Sequence, residues 1–406
     1  MTSPFLSRHA LTRVLQSLLE TELKAARGRA SRDEEFPHHL SGAWPEDVKI
    51  AGDGSHSLGC DSLEVIGLAA AMNEMFHLSE ANIDIEVSSA TTFGDWLDII
   101  EGAWQAGVVH ITFRTSGSTG APKRCTHEFT HLQVEVCHLT EMFATQTRAV
   151  ALALPHHIYG FIFTAMLPDQ LGIDVLSDKR MRQAGSDHWP RRGDLVVSIP
   201  EHWQFLNRTL SKWPEGVSGV VSTAPCSRWL IDSLMERGLH RMTEIYGSTE
   251  TSGVGTRAWP EETYRLMPHW QPVTTSDWWK TNLIHNSGMR VQLMDGIQFC
   301  DDGSFYLAGR LDGSVQVGGT NVYPARIAAL LVSRPGVADA AVRLMRTDEG
   351  MRLKAFIVPN SELPQDLLRR ELEFWIETHL TTAERPKKFT FGLAKPIDPL
   401  TGELDW

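Results

Sequence analysis

Between Ile111 and Lys123 the chain reads Ile-Thr-Phe-Arg-Thr-Ser-Gly-Ser-Thr-Gly-Ala-Pro-Lys, residue types suited to holding phosphate. Gly117 and Gly120 let the backbone turn so that successive N–H groups face one point. Ser116, Ser118 and Thr119 add hydroxyl donors, and Lys123 adds a compact positive charge. The apolar, β-favouring run Val108 to Phe113 precedes this loop and a helical pattern follows it, which predicts strand, loop and helix. The spacing is not that of the GxxxxGK[ST] loop, because Gly120 lies three residues before Lys123 and Arg124 follows it. An ordinary Ser/Gly turn would explain the glycines, but not the strand, hydroxyls and lysine together.

A second loop of this kind is Glu244-Ile-Tyr-Gly-Ser-Thr-Glu250. A carboxylate beside a phosphate cradle repels the ligand unless a cation intervenes, so Glu250 points to Mg²⁺. A tight turn ending a strand accounts for the same seven residues. His127-Glu128-Phe129-Thr130-His131 spells HExxH, which on a helix puts two zinc-binding imidazoles on one face beside a glutamate base. The third ligand is missing, since Val134 stands where an HxxGxxH continuation needs glycine. A solvated helix face is the plainer reading.

These residues must be positioned by a chain of 406 residues with formal charge −12, enough for two or three domains. The acidic balance argues against a nucleic-acid partner, whose phosphates need clustered Lys and Arg. The five cysteines are scattered without a CxxC pair, which fits a reducing, cytoplasmic setting. There is no signal-like N-terminus and no apolar run long enough to span a bilayer, so no membrane association is expected. Helical periodicity marks Leu11–Ala26, a segment reaching Phe76, Thr92–Trp104 and Thr126–Phe143. Strand-like runs at Ala149–Pro155, Asp194–Ile199 and Gly219–Ser222 alternate with helical patterns at Glu201–Leu210 and Trp229–Arg237, which predicts an α/β layered domain.

Leu58-Gly-Cys-Asp-Ser-Leu-Glu64, at the head of a helix ending near Phe76 and followed by a short final helix, resembles an acyl carrier protein. That resemblance implies a helical carrier-like domain over 1–105 with phosphopantetheine on Ser62. The alternative is that Asp61 and Glu64 merely cap a helix.

Thr115-Ser-Gly-Ser-Thr-Gly-Ala-Pro-Lys123, Pro155-His-His-Ile-Tyr-Gly160, Tyr246-Gly-Ser-Thr-Glu250 and Leu307-Ala-Gly-Arg-Leu-Asp-Gly-Ser-Val-Gln-Val-Gly-Gly319, in this order, resemble the adenylate-forming superfamily. Acyl-CoA synthetases, aryl-acid ligases and peptide-synthetase adenylation domains belong to it. The resemblance implies a trimmed AMP-binding large domain over 106–309 and a mobile α+β C-terminal domain over 310–406. By it, Thr115, Ser116, Gly117, Ser118, Thr119, Gly120 and Lys123 hold the pyrophosphate end of ATP. His157 faces the acid; Ala224, Pro225, Tyr246 and Gly247 meet adenine and the acyl group; Thr249 and Glu250 meet phosphate and Mg²⁺. Asp295 and Arg310 bind ribose, and Asp312 is the hinge. The implied reaction is ATP-dependent activation of a carboxylic acid, with the compact core pointing toward an aromatic one, as acyl-adenylate, then transfer to the thiol of CoA or an acyl carrier protein.

Three departures accompany the resemblance. The long segment that normally precedes the phosphate loop is replaced by the carrier-like region. Ser222-Thr-Ala-Pro-Cys226 stands for Ser-Gly-Gly-Ala-Pro. Gly402-Glu403 stands for Gly-Lys, with Lys387, Lys388 and Lys395 the nearby cations that could substitute. Replacing a catalytic cation by an anion should cost several kcal/mol, since one lost neutral donor costs about 3–4. The alternative function is therefore an adenylation-deficient carrier or scaffold.

Overall fold

The computed structural model of the chain describes residues 5–27, 42–52, 54, 56–83, 90–115, 123–177, 189–224, 226–273, 281–310, 313–346, 349–360, 364–396 and 406, with backbone alone for 308–310. Helix α1 (Arg8–Arg27) buries Leu11, Val14, Leu15, Leu18, Leu19 and Leu23 on one stripe, as their spacing predicts. Each fully buried leucine contributes about 1.5–3 kcal/mol of transfer energy. Helix α2 (Ser62–Phe76) opens on a capping box: Asp61 accepts from the Glu64 N–H, and Glu64 accepts from the Asp61 N–H. Thr92 and Asp95 cap α3 (Phe93–Gln105) in the same way. Leu58-Gly59-Cys60 is not helical; Ser57–Cys60 pairs in parallel with Lys49–Ala51.

The centre is a nine-stranded sheet. Five strands run parallel in the order Asp174–Ser177, Arg148–Ala151, Asp194–Ser198, Ser218–Val221 and Arg241–Ser248. Ser252–Ala258, Tyr264–Leu266, Ser304–Arg310 and Asp295–Phe299 extend it antiparallel. Every residue of Asp194–Ser198 and Ser218–Val221 is buried, as expected for strands covered on both faces.

One hydrophobic core joins Leu11, Phe76 and Trp104 of the first three helices to Phe113, Phe161, Val220 and Phe305 of the sheet domain. The N-terminal helices, in the 1–105 region that the sequence resemblance takes as a helical carrier-like domain, thus share the large domain's core. A second core, with Ile327, Leu331, Ile357, Leu368 and Leu372, belongs to the small C-terminal α+β unit. That unit is a three-stranded sheet (Val337–Leu344, Leu353–Pro359, Lys388–Phe391) packed with the helices Pro324–Val332 and Gln365–His379.

One expected element differs where it matters. The residues after Lys123 form a strand, Arg124–Glu128, paired antiparallel with His110–Arg114; helix α4 (Phe129–Met142) begins only after it. The alternation of buried Cys125 and His127 with exposed Arg124, Thr126 and Glu128 is a period of two, masked in the sequence by the helical spacing that starts at Phe129.

The segment carrying the His-His-Ile-Tyr-Gly motif is a helical turn, Ile158–Phe161, a π turn, Ile162–Met166, and a helix, Leu167–Leu171, ended by Gly172 in left-handed conformation. It doubles back tightly on Leu154: a Cβ at Gly160 would stand 2.0 Å from the Leu154 carbonyl oxygen. Gly160→Ala is therefore expected to lose at least about 1–3 kcal/mol in urea unfolding, because backbone must move. Gly67→Ala, where a Cβ meets nothing within 4 Å inside α2, should be neutral or slightly stabilising in the same measurement.

Candidate active site

The ends of the phosphate-type loop are fastened by the hairpin. The Thr115 N–H donates to the Lys123 carbonyl at 2.9 Å, and the Lys123 N–H to Thr115 Oγ1 at 3.2 Å. Ser116, Gly117, Ser118, Thr119 and Gly120 lie outside the described residues. Charged pairs grip the hairpin's base. Arg114 pairs with Glu74 of α2 and with Glu22 of α1, the latter at 3.0 Å, while Arg124 reaches the other Glu74 oxygen at 2.6 Å. The hydrogen bond from Arg114 leads in holding the Glu74 carboxyl below its ordinary range.

Lys123 meets Glu250 across 3.0 Å, which joins the first sequence loop to the second. Burial works to raise the Glu250 pKa, but the Lys123 hydrogen bond and charge outweigh it, and the carboxyl is held below its ordinary value. Thr249 and Glu250 sit in the turn between Arg241–Ser248 and Ser252–Ala258, closed by Ser248 N–H to Thr251 Oγ1 at 3.0 Å. Gly247 is required there: a Cβ would fall 2.1 Å from the Ser252 carbonyl oxygen.

Two residues that hold this turn escaped the sequence reading. His127 is buried in the strand Arg124–Glu128, and its Nε2–H donates to the Thr249 carbonyl at 2.7 Å. Burial leads in lowering its pKa, so the ring is a neutral tether. This corrects the HExxH reading, because His127 and His131 do not share one helix. Among the described residues no group of three or more His, Cys, Asp or Glu could hold a metal ion. The second missed residue is Glu135 of α4, wholly buried, which accepts the Gly253 N–H at 3.0 Å. Burial pushes its pKa up to about 7. The signal for both was an unexpected polar residue on a buried face.

His157 stands at the edge of a cavity of about 1370 Å³, which also has Thr115, Thr249, Thr223 and residues of α1 in its wall. Its ring lies 4.3 Å from that of His156, and burial lowers the pKa of each, that of His156 to about 3. Ser17 Oγ of α1 hydrogen-bonds His156 Nδ1 at 2.8 Å. Behind them the Tyr159 hydroxyl donates to the carbonyls of Ser198 (3.1 Å) and Val220 (2.9 Å), which fixes this turn on two parallel strands.

On the sheet's antiparallel side, the Tyr246 hydroxyl donates to Asp295 Oδ2 at 2.9 Å, and Asp295 pairs in register with Arg310. Tyr246, Tyr264 and Phe305 pack as an aromatic cluster. Ser222 Oγ donates to the Ile245 carbonyl, which ties the segment before Ala224 to the strand bearing Tyr246. Pro225, Asp312 and Glu403 lie outside the described residues. Lys395 pairs with Asp339 at 2.9 Å. Ser62 is exposed as the first residue of α2, with Leu63 and Ile66 exposed beside it, and does not line the cavity.

Residues 101–276 match the family described as AMP-binding enzyme, and residues 326–398 match the AMP-binding enzyme C-terminal domain. The chain is 33% identical over 397 residues to a 4-coumarate–CoA ligase of Halorhodospira halophila, covering 96% of this chain and 97% of that protein. It is 32% identical to a 4-coumarate–CoA ligase of Cereibacter sphaeroides, covering 99% and 97%. In fold it is similar to an o-succinylbenzoate CoA synthetase of Bacillus subtilis, with TM-score 0.56 at 18% identity, covering 72% of this chain and 67% of that one.

The buried histidines predict an acid limb in stability. His156, and His269 with a pKa of about 4, stay neutral when folded but protonate below about 6.5 once unfolded. Their folded pKa values lie below the unfolded ones, so stability present above about pH 6.5 is lost as pH falls toward them. Each group contributes a slope of roughly 1.4 kcal/mol per pH unit in that window. Urea unfolding of His156→Gln between about pH 7 and about pH 5 should show a flatter decline than the native chain.

Proposed function

The chain belongs to the AMP-binding enzyme family and is an ATP-dependent acid–thiol ligase; we propose that its acid is a hydroxylated aromatic acid of the 4-coumarate class and its acceptor coenzyme A. The observation that carries this reading is the end-to-end similarity to two 4-coumarate–CoA ligases, in a chain whose Thr115, Thr249 and His157 open on one cavity. The adenylation-deficient alternative is not favoured.

In this reading Lys123 and the loop from Thr115 to Gly120 hold the β- and γ-phosphates, and Thr249 meets the α-phosphate. Tyr246, Gly247, Ala224 and Pro225 flank the base, while Asp295 and Arg310 take the ribose hydroxyls. The donor set suits Mg²⁺: Glu250 is a hard oxygen ligand held ionised, beside the hydroxyls of Ser248 and Thr251. When bound, Mg²⁺ would supply charge neutralisation on the leaving pyrophosphate. Lys123 trades its carboxylate partner for phosphate as ATP enters, which leaves Glu250 free for the cation. The substrate carboxylate, placed beside His157 and Thr115, attacks the α-phosphate to form the acyl-adenylate and release pyrophosphate. The thiol then attacks the acyl carbon, and AMP leaves.

The same reading takes 106–309 as the nucleotide-binding domain and 310–406 as a unit that rotates about Asp312 between the two half-reactions. Residues 1–105 serve the ligase as scaffold rather than as a carrier, a role supported by the core they share with the sheet and by the grip of Glu22 and Glu74 on the phosphate hairpin. Phosphopantetheine on Ser62 is the lesser proposal. It draws on the exposed Ser62 at the start of α2, and mass analysis after treatment with CoA and a phosphopantetheinyl transferase tests it. A reducing cytoplasmic setting accords with five free cysteines.

Acid-dependent ATP–pyrophosphate exchange, followed by CoA thioester formation, tests the main proposal. 4-Coumarate should support both half-reactions better than acetate or a long-chain fatty acid. If no acid, aryl or alkyl, supports exchange while Glu403→Lys gains it, the native chain is adenylation-deficient. Lys123→Ala should lower kcat/KM for exchange by roughly 10²–10³, the usual cost of one lost transition-state partner.

A further inference from the structure

Helix α1 lines the cavity along most of its length, from His9 to Lys24, and its contacts give that wall two ends. At its C-terminal end Glu22 pairs with Arg114, the residue before Thr115, so this end lies at the phosphate loop. Toward its N-terminal end four hydrogen bonds lace it, and Ser7 just before it, to the segment that carries His157. Ser17 Oγ meets His156 Nδ1 at 2.8 Å. Arg13 Nη2 donates at 3.2 Å to the carbonyl of Thr164, inside the π turn. Ser7 N–H and Oγ donate to Asp169 at 2.6 and 2.7 Å. Ser17 stands five residues from Glu22, about 7–8 Å along the helix axis at 1.5 Å per residue. An acid with its carboxylate beside Thr115 would project its ring in this direction.

The face of α1 turned to the cavity is polar, but most of its groups are already engaged. Gln16 Nε2 donates to Glu20 and to the Gly42 carbonyl, both at 2.8 Å, and Gln16 Oε1 accepts the Trp44 N–H. The Thr12 hydroxyl donates to the Arg8 carbonyl. Ser17 differs. Its hydroxyl is shared with one neutral imidazole, and when it donates to His156 Nδ1 its oxygen keeps lone pairs able to accept a further proton. It is also half-buried in the cavity wall, where an unmade hydrogen bond carries a desolvation cost.

We infer that α1 is the specificity wall of the acid pocket, and that the Ser17 hydroxyl, backed by His156, accepts a hydrogen bond from a hydroxyl on the substrate ring. This rests on the hydroxylated-aromatic reading above and assigns its selectivity to the N-terminal helix. A ring lacking the hydroxyl would leave the Ser17–His156 pair short of a partner, which is how a polar site rejects an analogue.

The test compares 4-hydroxycinnamate with cinnamate in pyrophosphate exchange by the full chain. The native protein should prefer the hydroxylated acid by at least about tenfold in kcat/KM, through KM. Ser17→Ala should bring that ratio close to one, with KM for ATP within about twofold, and Ser17→Thr should keep the preference. A native preference that survives undiminished in Ser17→Ala overturns the inference alone, as does a native protein that uses both acids equally. A native protein that uses neither acid overturns the hydroxylated-aromatic reading, and the inference with it.

Discussion

Five backbone pairs between His110–Arg114 and Arg124–Glu128 hold the two ends of the phosphate-type loop together, and the rest of the site depends on them. Loop amides can converge on one point only when the loop's ends are fixed, because each freely rotating residue costs about 1–2 kcal/mol to order. The hairpin fixes those ends and also orients what leaves it. Lys123 emerges toward Glu250, and His127, two residues into the exit strand's buried face, emerges toward Thr249. A continuous helix after Lys123 would have turned His127 and Cys125 about its axis rather than onto one face. The strand is therefore what lets one short segment hold both the loop and the Thr249–Glu250 turn.

The hairpin is in turn held from outside the sheet. Arg114 and Arg124 converge on Glu74, and Arg114 also meets Glu22, so α1 and α2 each contribute a carboxylate to its base. Exposed ion pairs are individually weak, but one carboxylate shared by two guanidiniums has a restricted geometry and positions more than it stabilises. The apolar side of the same two helices supplies the energy, through a core that runs unbroken from Leu11 to Phe305. The hairpin is thus braced from two sides of the first two helices, by charge on one and by apolar packing on the other.

Much of this was legible in the sequence. The stripe of α1, the capping box of α2 and the parallel strands follow from periodicity and local hydrogen bonding, which act over a few residues. Each of the four ordered motifs also contributes to one cavity wall, through Thr115, His157, Thr249 and Gly319. What escaped was set by tertiary contact. Arg124–Glu128 is a strand because His110–Arg114 lies beside it, and no local pattern over five residues announces that partner. His127 looked like half of a metal site since its only visible neighbour was His131; its actual partner, Thr249, is 122 residues away. Glu135 of α4 likewise has its partner far off in the chain, the N–H of Gly253, 118 residues away. The core that the first helices share with the sheet was hidden in the same way, since local capping at Asp61 says nothing about the packing beneath.

Thr223 shows how one departure from the superfamily pattern is accommodated. It occupies a position with φ of +77°, a conformation that strains a β-branched residue and that glycine would adopt freely. Such strain persists only where surrounding structure over-determines the backbone, and it gathers at functional sites. Here the surroundings are Ser222, tied to the Ile245 carbonyl, and the turn Gly318–Gly319 of the C-terminal segment. A Cβ at Gly319 would stand 3.2 Å from Thr223 Oγ1, and both glycines have positive φ, so the facing turn stays low enough to admit the threonine. The volume added at 223 is thus matched by the absence of a side chain at 319. The same contact brings the C-terminal segment against the wall of the cavity that also holds Thr115 and Thr249. Bulk at Thr223 and smallness at Gly319 are one packing solution, and a side chain added at either position would be felt by the other.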